Sequence, residues 1–181
     1  MLFRSLGDKS QSGDANIKWI DGFIEQMKDE YASLASYNSA VTFGTSAWNA
    51  IYGVYEVLPE EVLDRGAEIY VGPGLYRSFI LGLLSNNLFH FSAPNEAYPD
   101  EIFLPGTNAK LVKTPGLAGT KHIVGTFPDN LVYGCDMEND NEDIKVWFSD
   151  DDDIWKVKVN WNSGVAYHFP SMIVLHTIAD S

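Results

Sequence analysis

Four consecutive aspartates, Asp150, Asp151, Asp152 and Asp153, are the densest chemistry in the sequence. They stand between two alternating runs, Ile-Lys-Val-Trp-Phe (144–148) and Ile-Trp-Lys-Val-Lys-Val-Asn-Trp (154–161). That setting reads first as the solvated tip of a β-hairpin. Clustered carboxylates are also what a hard cation such as calcium takes as ligands. The twelve-residue calcium loop does not fit, however. Started at Asp136, it places Asn141 where glycine is needed and Trp147 where the bidentate glutamate belongs. A third reading is an electrostatic contact with a basic patch on another subunit, which fixes register more than it adds affinity.

The other reactive residue types are scattered. His90, His122, His168 and His176 lie in β-like runs, and none forms an H-E-x-x-H motif or an i, i+4 helical pair. They read as half-buried strand histidines. Convergence of two of them would favour a metal-dependent enzyme. Cys135 sits in Val-Tyr-Gly-Cys-Asp-Met with no helix start to lower its pKa, so it reads as a small buried residue. As the single cysteine, it excludes an internal disulfide framework and a cysteine-based zinc site. Gly72-Pro73-Gly74 falls between a strand and a helix, where a phosphate loop would lie. Yet GPGLYRS matches neither G-x-G-x-x-G nor G-x-x-x-x-G-K-[ST], and Pro73 lacks an N–H. Trp19, Trp48, Trp147, Trp155 and Trp161 point to core or interface packing. A carbohydrate- or protein-binding module that uses exposed aromatics is the alternative. The sequence therefore contains no nucleophile–base pair, metal cluster or cofactor loop, and the expectation is a protein that is not an enzyme.

The elements that must hold these residues change character along the chain. Ile17, Ile20, Ile24, Met27, Tyr31 and Leu34 recur near one helical face, interrupted at Gly22, and Tyr37-Asn38-Ser39 reads as a break. A second helix is expected from Ser46 to Leu58. A short third follows, with Pro59 at its first position and Glu60 and Glu61 at the positive dipole end. Ala67–Gly72 is β-like, and Leu75–Leu84 suits a further helix. Beyond Leu88 the runs are β-like: 88–91, 110–113, 122–127, 131–137, 144–148, 154–160, 165–169 and 172–178, separated by Pro, Gly and Asn turns. Helices fill the first half and strands the second, with one strand between helices, which predicts an α+β fold. There is no internal repeat.

Composition bounds the function. The chain has 181 residues, 45% hydrophobic and 13% aromatic, enough for a packed core in one domain, or in one domain with a large excursion. Twelve basic against 25 acidic residues leave a net charge of −13, which opposes a surface that tracks nucleic-acid phosphates. Residues 136–153 hold nine acids against one lysine, a net −8 in 18 positions. No apolar run spans a membrane and Met1-Leu2-Phe3-Arg4 lacks a signal-peptide core, so the expectation is a soluble acidic protein made in a reducing compartment.

The order of several segments resembles the major capsid proteins of tailed bacteriophages, those with the HK97-like shell fold. Ile20-Asp21-Gly22-Phe23-Ile24 is similar to their D-G-x-I segment. It is followed by the helix closing in Leu58-Pro59-Glu60-Glu61-Val62-Leu63, and by the strand-then-helix Ile69–Arg77. Leu104–Leu117 resembles the G-x-P-V-V strand and turn, although Gly106 is separated from it by Asn108-Ala109-Lys110. Val124–Gly134 resembles the G-D-x-x-N-hydrophobic segment, and Val157–Val174 the closing strand pair. The resemblance covers about 20–178. Only about 20 residues precede it, where the family has an N-terminal arm, an extended loop and a spine helix. What is matched is thus the C-terminal, shell-domain portion, which is expected to be monomeric in isolation. The resemblance implies helices flanking a central mixed sheet with a projecting β-hairpin. It implies a flexible segment 1–21, an axial-domain-like lobe 22–134 and 162–178, and a peripheral-domain-like hairpin 135–161. It further implies a self-assembling shell subunit whose partners are copies of itself, without catalysis, cofactor, specific nucleic acid or membrane. Such a protein would be found in the virion and made in the cytoplasm of a bacterial host. An encapsulin-type cellular shell has the same implied fold. An acidic inner wall would let packaged DNA slide.

Overall fold

The computed structural model describes residues 22–30, 35–36, 46–86, 100–135, 143–160 and 163–176. Along these run α1 (Phe23–Asp29), β1 (Ala35–Ser36), α2 (Ser46–Val57), α3 (Glu60–Asp64), β2 (Glu68–Val71), α4 (Pro73–Ser85), β3 (Glu101–Phe103), β4 (Lys110–Lys113), β5 (Ile123–Thr126), β6 (Leu131–Cys135), β7 (Asp143–Ser149), β8 (Ile154–Asn160), β9 (Ser163–Tyr167) and β10 (Val174–His176). The fold is α+β, as the order of elements predicts. No helix among the described residues is long and apolar enough to cross a membrane.

Six strands form one mixed sheet in the order β1-β10-β5-β2-β4-β3. The β1–β10 and β2–β4 pairs are parallel and the rest antiparallel. Because strand side chains alternate between faces, the register sorts the core. Ile69 pairs with Gly125 and Leu111, so these three share a face; Tyr70 pairs with Val124 and Val112 on the other. The first face is covered by α2 and α4. They bury Ala47, Ala50, Ile51, Val54 and Leu58, and Leu75, Tyr76, Phe79 and Leu83, against Ile69, Val71, Leu111, Ile123 and Val174. These helix positions recur every three or four residues, the spacing of one apolar stripe. Trp48 of α2 stacks on Phe79 of α4 with ring centroids 5.1 Å apart. The second face is covered by Phe23, Ile24 and Met27 of α1, with Leu117 and Ile173, against Tyr70, Val124 and Leu175. Each fully buried side chain of this size contributes roughly 1.5–3 kcal/mol.

Two glycines let the layers close. At Gly125 a Cβ would lie 2.9 Å from Val54 Cγ1 and 3.2 Å from Leu58 Cδ2, so α2 rests directly on β5. At Gly72 a Cβ would lie 2.3 Å from the Leu117 carbonyl oxygen. The 3₁₀ turn Pro115–Leu117 therefore presses backbone to backbone on the start of α4. Gly72 is the N-cap of α4 and Pro73 its first residue. What the sequence offered as a possible phosphate loop is a close backbone contact.

Several boundaries differ from expectation. Pro59 is the N-cap of α3, one position before its first helical residue. The helix read as Leu75–Leu84 begins at Pro73, because proline's fixed φ suits a first helical position. The two-residue β1 and three-residue β3 were not anticipated, since neither is long enough to show a period. β1 also makes two strands, not one, lie between the helices of the first half. The last strand, expected from Met172, begins at Val174, because Met172 closes the 3₁₀ turn Pro170–Met172. The expected strand at 88–91, the break at 37–39 and the helical run at 17–21 lie outside the described residues.

Tyr70 ties strand chemistry to pH. Its hydroxyl donates to Glu68 Oε2 at 2.7 Å on the α1 face. Burial, then the hydrogen bond to Glu68, push its phenol well above the ordinary 10.0. Tyr167, which donates to Glu30 Oε2 at 2.6 Å, is raised for the same reasons. A raised folded-state pKa adds stability in full below the unfolded value and loses it as pH climbs above 10.0.

Two outcomes follow. Gly125→Ala should lower unfolding free energy by about 1–3 kcal/mol in urea titration, and Gly72→Ala by the upper end of that range or more, because a backbone oxygen cannot move aside like a side chain. The urea midpoint should be flat approaching pH 10 and fall beyond it, and Tyr70→Phe should flatten that fall by up to about 1.4 kcal/mol per pH unit. An unchanged slope in the variant would show that Tyr70 is not held protonated.

Candidate functional site

After β5 the chain leaves the six-stranded sheet, and it returns through β10, which pairs antiparallel with β5. Between them lie two further ladders. β6 pairs with β9 from Leu131↔Tyr167 to Cys135↔Ser163, and β7 pairs with β8 from Asp143↔Asn160 to Ser149↔Ile154. The excursion is thus a two-legged arm that ends in the β7–β8 hairpin.

Its root is clasped by Asn130, a fully buried polar side chain. Asn130 Nδ2 donates to Thr126 Oγ1 at 2.9 Å and to the Phe169 carbonyl at 3.1 Å. Its Oδ1 accepts the Phe169 N–H at 2.8 Å, and its backbone carbonyl accepts the His168 N–H at 3.1 Å. Thr126 Oγ1 passes the chain of bonds on to the Met172 carbonyl at 3.1 Å. Only a carboxamide supplies donors and an acceptor from one planar group of this size. Phe127 packs near Phe169 beside the clasp, with the Arg65 guanidinium 5.0 Å over the Phe127 ring. Further along, Gln26 Nε2 of α1 donates to the Val165 carbonyl at 2.9 Å, which holds β9 to the sheet's second cover.

Asp150–Asp153 form the turn between β7 and β8, and all four are exposed. Asp153 takes a left-handed φ of 53°, which aspartate tolerates better than most residues. Asp152 is ion-paired to Lys156 and accepts from Ser149 Oγ at 3.3 Å. The tip is therefore solvated, and the hairpin's own lysine balances part of its charge. The acidic stretch 136–142 lies outside the described residues.

His122 and His176 are buried, with His176 opposite Ile123, the neighbour of His122, in the β5–β10 ladder; His168 is exposed, and His90 lies outside the described residues. Among the described residues no three histidine, cysteine, aspartate or glutamate side chains come together as a metal site. Cys135 ends β6 opposite Ser163. Trp48 is half-buried in the α2–α4 layer, whereas Trp147 and Trp155 are exposed on the hairpin. Trp147 pairs with Lys156 and Trp155 with Phe148, so the two tryptophans occupy opposite faces and form no common stacking platform. Trp19 and Trp161 are not among the described residues or side chains. The Asn130 clasp was missed as a site by sequence reasoning. Its one signal was an asparagine between turn residues and a hydrophobic run in the segment 124–134.

No family model and no curated protein matches the sequence. Solved structures do match the fold. A chain of Mycobacterium phage Che8 superposes with a TM-score of 0.58 at 13% identity, covering 92% of this chain and 64% of its own length. A chain of the satellite phage P4 procapsid, a structure that includes the size determination (Sid) protein, superposes with a TM-score of 0.58 at 12% identity over 96% of this chain and 59% of its own. This chain shares its fold with these two phage chains. At such identities the likeness is one of fold, and the chain spans about three fifths of the length of these solved chains.

Replacing Asn130 by leucine keeps the branched outline, leaves both backbone groups of Phe169 without their partner, and leaves Thr126 Oγ1 with only its bond to the Met172 carbonyl. We expect a loss of about 2–4 kcal/mol in urea unfolding. A loss below about 0.5 kcal/mol would mean that water or relaxation replaces the clasp.

Proposed function

We propose that this chain is the shell-forming portion of a tailed-phage major capsid protein with the HK97-like fold, a structural subunit that assembles with copies of itself and performs no catalysis. The observation that carries the reading is the fold likeness to chains of two phage particles over more than nine tenths of this chain. Physical features agree with it. A shell subunit needs a stiff body, so that contacts at its rim add coherently over many copies. Here a mixed sheet is packed on both faces by buried aliphatic and aromatic side chains. In this reading residues 22–134 and 162–178 are the axial-like lobe, 135–161 the peripheral-like hairpin, and the protein resides in the virion after synthesis in a bacterial cytoplasm. The described polar network at Asn130 then works as a rigid hinge-pin between lobe and hairpin, not as a catalytic device.

The test is assembly. The chain, and the complete product of the gene that encodes it, are produced in bacteria and imaged by electron microscopy. Closed particles of uniform diameter are expected from the complete product. Persistent monomers of that product, at concentrations up to about millimolar, would sink the shell reading.

A further inference from the structure

The β7–β8 hairpin sorts its side chains by face. Val146 pairs with Val157 and Phe148 with Trp155, which makes one face apolar at these positions. All four are exposed, from 42% for Phe148 to 70% for Trp155. Two strands alone are marginally stable in water, so such a face wants a cover. Beyond it lies the tip. Asp152 is ion-paired to Lys156, but Asp150, Asp151 and Asp153 have no partner among the described residues. A cover that fits must therefore offer apolar surface next to an unengaged cation. The same face of a second hairpin would bury the apolar side chains and leave these aspartates without a cation.

Outside the hairpin, the large apolar side chains exposed among the described residues are Val57, Leu81, Leu84, Phe103, Tyr133 and Phe169. Val57 is flanked in the chain by the exposed Glu56, Glu60 and Glu61, which would repel the tip. Beside Phe103, Lys110 and Lys113 are already paired with Glu101 and Asp100. Tyr133 and Phe169 lie on the arm and at its root, where Arg65 is already engaged over the Phe127 ring. Leu81 and Leu84 differ. They stand on the outer side of α4, and Arg77 lies one turn before Leu81, so the three share one helix face. Arg77 is exposed, and no carboxylate among the described residues pairs with it. The spacings also agree. Arg77 to Leu84 spans roughly 10 Å along the helix. Val146 to Asp150 spans about 13 Å along the strand, a difference that a long arginine side chain bridges.

We propose that the Val146, Phe148, Trp155 and Val157 face of the hairpin is covered by the outer face of α4 in a second copy of this chain. Leu81 and Leu84 lie against the apolar side chains, and Arg77 meets Asp150, Asp151 and Asp153. The inference rests on the shell reading, which supplies the second copy, and names one of its contacts. The giving and receiving surfaces differ, so the contact is heterologous, and each copy can give one hairpin and receive another. At their exposures the two aromatic rings present roughly 200–300 Å², short of the roughly 800 Å² per partner of a stable pair. The contact is therefore weak alone and acts with others.

A photo-crosslinking benzoylphenylalanine at position 148 of the complete gene product reports on it. An equimolar mixture of ¹⁵N-labelled and unlabelled chains is irradiated, and the adducts are mapped by mass spectrometry. The expected adduct joins two chains and lies on α4 of the second. R77D or D150K/D151K, each with an unchanged circular dichroism spectrum, should cut its yield about tenfold. Mixing these two variants should restore it, because each then meets an opposite charge on the other. An adduct within one chain, an adduct elsewhere on the second chain, no adduct, or a yield indifferent to the charge variants would each overturn the proposal. Closed particles without the crosslink would sink this contact and leave the shell reading standing. The crosslink in a product that never closes into particles would do the reverse.

Discussion

The arrangement depends on a single buried carboxamide. Every residue between β5 and β10 belongs to an excursion from the main sheet, and the two ends of that excursion are neighbouring antiparallel strands. Asn130 holds them at the point of departure by bonding Thr126 on one leg and Phe169 on the other. A hydrophobic residue could fill the same space. It could not satisfy one N–H and two oxygens that the turn leaves facing each other in a dry place, and an unmet buried polar group is costly. The clasp thereby converts a loose loop closure into a fixed geometry, and the arm inherits the orientation of the sheet.

The sheet itself is stiff because both of its faces are dry. The α2–α4 layer reaches β5 so closely that a Cβ at position 125 would press on Val54 and Leu58, and α1 closes the opposite face over Tyr70 and Val124. The hairpin is the contrast. It uses the same strand alternation as β2 or β5, but no second layer among the described residues covers it, and its apolar side chains stay open.

The sequence shows much of this where periodicity or punctuation is strong. Ala47, Ile51, Val54 and Leu58 announce a helix face, Gly66 and Asn86 stand where helices close, and the alternation on both sides of Asp150–Asp153 marks the hairpin to within one residue at most ends. The four aspartates, read as a hairpin tip, are the exposed turn between β7 and β8. Less legible were β1 and β3, whose two and three residues become strands only because a neighbour offers its edge. The role of Gly72 was equally hidden. Its neighbours suggest a loop for a ligand, while the reason for glycine is the carbonyl of Leu117, 45 positions away.

By itself, then, the sequence determined the class of fold, the places of most helices and strands, the β7–β8 hairpin and the concentration of charge around it. These follow from local period, turn chemistry and composition, which act over a few residues. Tertiary structure alone decided the strand order, the pairing that makes Asn130 a clasp, and the close approaches at Gly72 and Gly125. Those are matters of which distant backbones come within a few ångströms of each other, and no local pattern encodes that distance.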